Sequence, residues 1–273
     1  MSEAQTIDEL ASKLLESLNI TRVSPPLGRD VPFIGLEGER VRLDVGYNQF
    51  HRTCYVRVGD LIFLDYSFKD KINPEILREM QHNIIYIFDF ETSSLAATSL
   101  TRYSALTIHA SSCVEVQGKA VLDLGSADGV LSLVAKRKGA RKIIAVDNNL
   151  DMANKLSRHI TANNMRQSAF GFLPGDVRSQ NLLMRIPLEE ISVIVANLGP
   201  EYGSSHLYAI EMLDHMPNVQ IFIAGGYNNN EDDSYSPREA IKLLEQKGFR
   251  IFGKIVEDEE IPRLAFIAER HYQ

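Results

Sequence analysis

Four polar side chains stand where chemistry could be done, each just after a run of apolar residues. Asp123 lies within Val121-Leu-Asp-Leu-Gly-Ser-Ala-Asp-Gly129, and Asp147 closes Ile143-Ile-Ala-Val-Asp147. Asp176 lies in Pro174-Gly-Asp-Val177, and Asn197 in Val195-Ala-Asn-Leu-Gly-Pro200. The glycine run reads G-x-A-x-G, which differs from the G-x-G-x-x-G of pyrophosphate binders. Gly125 permits a sharp turn, and Gly129 permits close approach of helix and ligand. Asp123 ahead of the first glycine would repel a diphosphate, whereas it could hold an ammonium. A nucleoside that carries an amino acid in place of phosphates fits both features, and S-adenosylmethionine (SAM) is such a molecule.

On that reading, Asp123, Gly125, Ser126, Ala127 and Gly129 form the turn that holds the cofactor. Asp147, with Asn148 beside it, takes both ribose hydroxyls, as an acidic residue at the tip of the second strand can. Asp176 accepts from the adenine amino group while Val177 packs on the ring. Asn197 offers its carbonyl to an incoming N–H nucleophile, with Leu198 and Gly199 supplying backbone carbonyls nearby. The alternative for Asn197 is a purely structural brace or helix cap. If the acceptor is a lysine, its amine must lose a proton before attack, to Glu201, Tyr202 or solvent. His109 falls in a helical pattern and reads as a packed or surface histidine.

The elements that would position these residues alternate regularly. Strands are expected at 120–124, 142–146, 170–173, 193–196, 220–224, 250–256 and 263–268. Helical spacing covers 129–138, 150–163, 204–215 and 237–247. Such alternation predicts a parallel sheet with helices on both faces. The last two strands have no helix between them and form an antiparallel hairpin. Upstream, the apolar spacing of residues 6–18 predicts an amphipathic helix. Residues 25–38, rich in proline and glycine, read as irregular. Runs at 41–45, 53–58 and 61–64 read as strands, with Gly59-Asp60 as a tight hairpin turn. Asn73 and Pro74 start a helix; residues 83–90 fit either a strand or a buried helix. The fold class is therefore α/β and Rossmann-like. Residues 1–75 form a small α+β cap, 76–118 a helical connector, and 119–273 the cofactor domain.

Composition narrows the function. Of 273 residues, 44% are hydrophobic and 24% charged, as in an ordinary globular protein. A net charge of −7 disfavours non-specific grip on nucleic acid and suits a basic protein or a small substrate. Cys54 and Cys113 are too far apart for a C-x-x-C metal site and read as reduced thiols. No metal is expected. The absence of a long apolar run or a secretory start gives a cytoplasmic expectation.

With these motifs in place, residues 119–270 resemble the class I SAM-dependent methyltransferases. They look most like the PrmA-type enzymes that methylate the stalk-base protein of the large ribosomal subunit. Val121 to Ser132 is similar to that family's first motif, and Val195-Ala-Asn-Leu to its V-A-N-I-L-A segment. Ile223-Ala-Gly-Gly through Gly248-Phe to Arg270 resembles its closing strand, helix and hairpin. Thr101-Arg102 sits where the family has a threonine that helps close over the cofactor. The resemblance implies a seven-stranded methyltransferase sheet, SAM as cofactor and a protein acceptor such as a basic ribosomal protein. Ala127 stands where the family has glycine, and Glu91 to Ser99 stands where it has G-T-G-x-H-x-T-T. A small-molecule methyltransferase and a SAM-binding regulatory protein without catalysis are the alternatives. An NAD-dependent dehydrogenase is disfavoured by the glycine spacing and by Asp123.

Overall fold

The structure is a computed structural model that describes residues 3–23, 32–36, 38, 40–48, 53–88, 90, 104–199, 203–228, 234, 236–257 and 263–271. The N-terminal part begins with helix α1 (Glu3–Ser17) and strands β1 (Thr21–Val23), β2 (Pro32–Ile34) and β3 (Arg40–Tyr47). Strands β4 (Thr53–Val58) and β5 (Leu61–Asp65) follow, joined by the expected two-residue turn, with Gly59 at a φ of 57°. A 3₁₀ turn then leads to α2 (Pro74–Met80), where the Asn73 carboxamide accepts from the Glu75 N–H at 2.8 Å. Residues 83–90, readable either way in sequence, contain strand β6 (Ile84–Ile87), parallel to β5. Thus the stretch expected as a helical connector also contributes a strand.

Helix α3 (Ser104–Ser112) leads into the alternating half: β7 (Ala120–Leu124), α4 (Val130–Arg137), β8 (Lys142–Asp147) and α5 (Asp151–Ala162). Next come β9 (Phe170–Pro174), α6 (Gln180–Leu183), β10 (Val193–Ala196), α7 (Ser205–Glu211) and β11 (Ile221–Asn228). The chain closes with α8 (Arg238–Gln246), β12 (Phe249–Glu257) and β13 (Arg263–Arg270). The strands of this half lie in the order β9-β8-β7-β10-β11-β13-β12. The first five run parallel, and β13 is antiparallel to both its neighbours. This is the seven-stranded, mostly parallel sheet with a C-terminal hairpin that the sequence implies. Strand order reverses between β7 and β10, the place where open α/β sheets bind ligands.

The sheet does not stop at β12. Val256 and Glu257 pair with Ile34 and Phe33 of β2, and the order continues β2-β3-β4-β5-β6. The expected irregular stretch at 25–38 therefore includes the strand that splices the two halves together. Its three residues begin with proline and are too short to show alternation, so no sequence signal marks it.

Alternation along the strands then sorts side chains into layers. Val121, Ile143, Val193 and Val195 face a layer made of α3, α4 and α5, and so do Leu43, Val56, Phe63 and Ile85 from the N-terminal strands. Those helices are thus enclosed between two parts of one curling sheet. The opposite faces pack separately: Leu122, Val146, Ile194 and Phe222 with α7 and α8, and Ile62, Leu64 and Ile84 with α1. Cys54 is buried and Cys113 exposed, and neither is in a disulfide. Among the described residues, no helix is long and apolar enough to cross a membrane.

Candidate active site

The same alternation fixes the direction of the chemical residues. Asp123 shares the parity of Val121, Asp147 that of Ile143, and Asn197 that of Val195. All three therefore point toward the helical layer, and Asp147 and Asn197 do so at the tips of their strands.

The turn after β7 has left-handed backbone at three positions. Gly125 has a φ of 70°, Gly129 of 87° and Ala127 of 46°. Glycine is required at the two ends by packing as well as by φ. A Cβ on Gly125 would lie 2.4 Å from Leu198 Cδ2, and one on Gly129 would lie 2.4 Å from Leu156 Cδ1. Gly129 thus lets α5 pack against the start of α4, which is helix packing more than ligand approach. Ala127 is held in its unusual conformation by its N–H, which donates to Asp147 Oδ2 at 2.9 Å. The other oxygen of Asp147 accepts from the Asn149 N–H at 2.9 Å. One carboxylate therefore ties the glycine turn to the tip of β8, an arrangement not visible in the linear sequence.

A cavity of about 330 Å³ opens at the switch point, between the ends of β7, β8, β9 and β10. Gly125, Ser126 and Ala127 line it, together with Asp147 and Asn148, Asp176 and Val177, and Asn197 and Leu198. Its size is in the range of small-molecule sites. Asp128, Met152, Arg178 and Ser205 also line it, and sequence reasoning passed them over. Arg178 matters because its guanidinium and backbone N–H both bind the Asp176 carboxylate, the latter at 2.9 Å. That hydrogen-bonded pairing holds the Asp176 carboxyl below its usual range. The i, i+2 spacing of an aspartate and an arginine in a loop was the available signal.

Five of the expected residues are placed differently or not described. Gly129 does not line the cavity, for the packing reason given above. Asp123 is buried under the turn: Ser132 of α4 donates to its Oδ2 at 2.6 Å, and its Oδ1 has no partner among the described residues. Burial pushes its carboxyl up to about 7, with the nearby Asp147 and Asp128 adding in the same direction. Thr101, Glu201 and Tyr202 lie outside the described residues.

Second-layer contacts complete the site. Thr107 of α3 is fully buried and donates to Asn197 Oδ1 at 2.8 Å. His159 of α5 accepts from the Phe88 N–H at Nε2, at 3.1 Å, and its Nδ1 lies 2.9 Å from the carbonyl of Asp128. This requires a neutral ring protonated at Nδ1. Burial raises the Asp128 carboxyl. His109, also on α3, is buried beside Cys113, with Nε2 3.6 Å from the thiol.

The residues present suit SAM by the chemistry of the donor set. Ser126 Oγ is buried without a partner among the described residues, at a turn whose glycines leave no room for side chains. Carboxylates at the tips of β8 and after β9 face the same space, and the described residues put no cation cluster there that would suit phosphates.

Sheet order and the placement of the cavity define a class I methyltransferase fold. Residues 97–199 match the family model described as Ribosomal protein L11 methyltransferase (PrmA). A ribosomal protein L11 methyltransferase from Desulfatibacillum aliphaticivorans is 24% identical over 184 residues, 65% of this chain and 53% of that protein. Another, from Thermosipho melanesiensis, is 31% identical over 107 residues, 39% of this chain and 34% of that protein. The chain thus spans about half the length of the first relative and a third of the second. The crystal structure of a ribosomal protein L11 methylase from Lactobacillus delbrueckii subsp. bulgaricus superposes with a TM-score of 0.57 at 15% identity. That likeness covers 80% of this chain and all of the other, and it establishes the shared fold.

Proposed function

We propose that the chain is a SAM-dependent methyltransferase that methylates nitrogen on a protein, with ribosomal protein L11 as the first acceptor to test. The observation that carries this reading is the convergence of four strand ends on one cavity at the switch point. The names of the matched relatives support the choice of acceptor. The net charge of −7 suits a basic partner. Cytoplasmic action belongs to the same proposal.

Bound SAM would supply a methyl group activated by a sulfonium. The protein's own work is positioning, since methyl transfer is an in-line displacement. In this reading the turn 125–127 and Ser126 hold the amino-acid end, and Asp147 holds the ribose. Asp176 and Val177 take the adenine, with Arg178 keeping the Asp176 carboxylate ionised and aimed. Asn197 accepts an N–H of the acceptor amine and so turns its lone pair toward the methyl group. The proton that a lysine ammonium must shed before attack goes to Glu201, Tyr202 or solvent. Asp123, beneath the turn, accepts from Ser132 and so braces the start of α4 under the cofactor's amino-acid end.

The test is incubation of the protein with L11 and methyl-labelled SAM, followed by mass spectrometry of the product. Methyl groups on lysine or on the terminal amine of L11 are expected. Binding of SAM without methylation of L11 or any other ribosomal protein would overturn the proposed acceptor and favour a small-molecule substrate.

A further inference from the structure

Strand β6 ends the sheet, so its outer backbone groups need partners from elsewhere. Helix α5 and its cap supply them. The Tyr86 N–H donates to Asn163 Oδ1 at 2.7 Å, and the Phe88 N–H donates to His159 Nε2 at 3.1 Å. The spacings match: two residues of strand advance about 6.6 Å, and four residues of helix advance about 6 Å. Both side chains are buried.

Of the two, His159 reaches further. Its Nδ1 lies 2.9 Å from the carbonyl of Asp128, in the turn that lines the switch-point cavity. A carbonyl only accepts, so Nδ1 carries the ring proton and Nε2 keeps its lone pair for Phe88. Asn163 uses its amide group on Tyr86 and on the His159 carbonyl instead. On the other side of the same peptide plane, the Gly129 N–H donates to the Ser126 carbonyl at 2.8 Å. The plane between Asp128 and Gly129 is therefore gripped from both sides. One residue earlier, Ala127 is held at a φ of 46° by its bond to Asp147. A non-glycine residue keeps such a conformation only where its surroundings over-determine it.

We infer that His159 is a positioning residue for the cofactor turn, and that through it occupancy of the cavity is transmitted to the edge of the N-terminal sheet. The inference rests on the reading of the cavity as a SAM site and adds to it a residue outside the cavity lining. A ligand seated on Ser126 and Ala127 holds the turn in the conformation that aims the Asp128 carbonyl at His159. That carbonyl fixes the imidazole tautomer, and only this tautomer accepts from Phe88. The coupling is reciprocal by linkage: a closed β6 edge favours the turn that binds the cofactor.

Hydrogen exchange at single amides reads the coupling, with S-adenosylhomocysteine as the probe. In the wild type, ligand at about a hundredfold excess over Kd should slow exchange at Phe88 about tenfold or more. His159→Phe keeps a ring to stack on Phe88, as the imidazole does at 6.1 Å and 11°, and removes both hydrogen bonds. In that variant the ligand should change Phe88 exchange by less than about twofold, and affinity for the ligand should fall about fivefold, as for one lost hydrogen bond. Asn163→Ala removes the other edge contact and leaves the turn untouched, so its affinity should stay within about twofold of wild type. Phe88 exchange that ignores the ligand in the wild type, or equal loss of affinity in the two variants, would overturn the inference and leave His159 a packing residue. If His159→Phe does not fold, the wild-type exchange still decides, together with ring-nitrogen NMR. A proton on Nδ1 is expected there, and a proton on Nε2 would overturn the inference. Failure of the wild type to bind S-adenosylhomocysteine at all would instead refute the methyltransferase reading, and the coupling with it.

Discussion

Asp123 and Asp147 show how differently two carboxylates of one sheet can be used. Asp147 sits at a strand tip and accepts two backbone N–H groups, from Ala127 and Asn149. Asp123 sits one strand away, buried, with one oxygen bound by Ser132 and the other unpartnered. An unpaired charge there is unfavourable, which is why its carboxyl is raised to about 7. In the unfolded chain it titrates near the ordinary 3.8. The folded protein therefore holds an extra proton between those two values, and stability falls as pH rises through that window. Asp123→Asn, which keeps the carbonyl acceptor but never ionises, should lose this dependence. Urea midpoints of both proteins from pH 4 to 8 are expected to diverge in favour of the variant. The gap should grow by up to about 1.4 kcal/mol per pH unit and level off above pH 7. Parallel curves would mean that Asp123 is ionised normally in the fold.

At the scale of elements, one helix end joins the two halves. Asn163, just past α5, accepts from the Tyr86 N–H at 2.7 Å and donates to the Tyr86 carbonyl at 2.8 Å. It also donates to the His159 carbonyl at 2.8 Å. The carboxamide thus acts as one residue of a missing neighbour strand for β6, the edge of the sheet. His159 adds a bridge from Phe88 to the carbonyl of Asp128, in the glycine turn. Removing the amide leaves the buried backbone of Tyr86 unsatisfied, a cost of about 1–3 kcal/mol for each group. Asn163→Ala is therefore expected to destabilise the protein by about 2–4 kcal/mol and lower Tm by several degrees. A calorimetric scan checks it, and an unchanged Tm would mean that water replaces the amide.

The sequence carried the alternating half well, because strands such as 120–124 and 193–196 are apolar runs bounded by turn residues, and helices such as 151–162 have a clear apolar stripe. It carried the strand–turn–helix at 120–137 for the same reason: a strand, a glycine-rich break and a helix are all local. The contacts of Thr107, His159 and Asn163 were not legible. Each depends on a partner more than 30 residues away, which periodicity does not encode. The use of Arg178 was local but unremarked, since an exposed arginine in a loop is ordinary.

On the scale of the whole molecule, the central fact is continuity. Among the described residues, the expected cap is part of a thirteen-stranded sheet that shares its helical layer with the strands around the switch-point cavity. Helix α3 touches Asn197 through Thr107 and packs against strands of both halves. The N-terminal strands therefore help to hold the helical layer on which the site is built, whatever else they recruit. A cavity at the switch point, ringed by carboxylates and lacking the G-x-G-x-x-G of pyrophosphate binders, should discriminate sharply between cofactors.

The most direct test is calorimetric titration of the purified protein with SAM and, in parallel, NADH, repeated with Asp147→Ala. Saturable SAM binding with no NADH response is expected. In the variant that affinity should be weakened about tenfold or more, since a charge-assisted hydrogen bond contributes about 1.5–3 kcal/mol. A folded wild-type protein that binds no SAM, or binds NADH instead, would contradict the account.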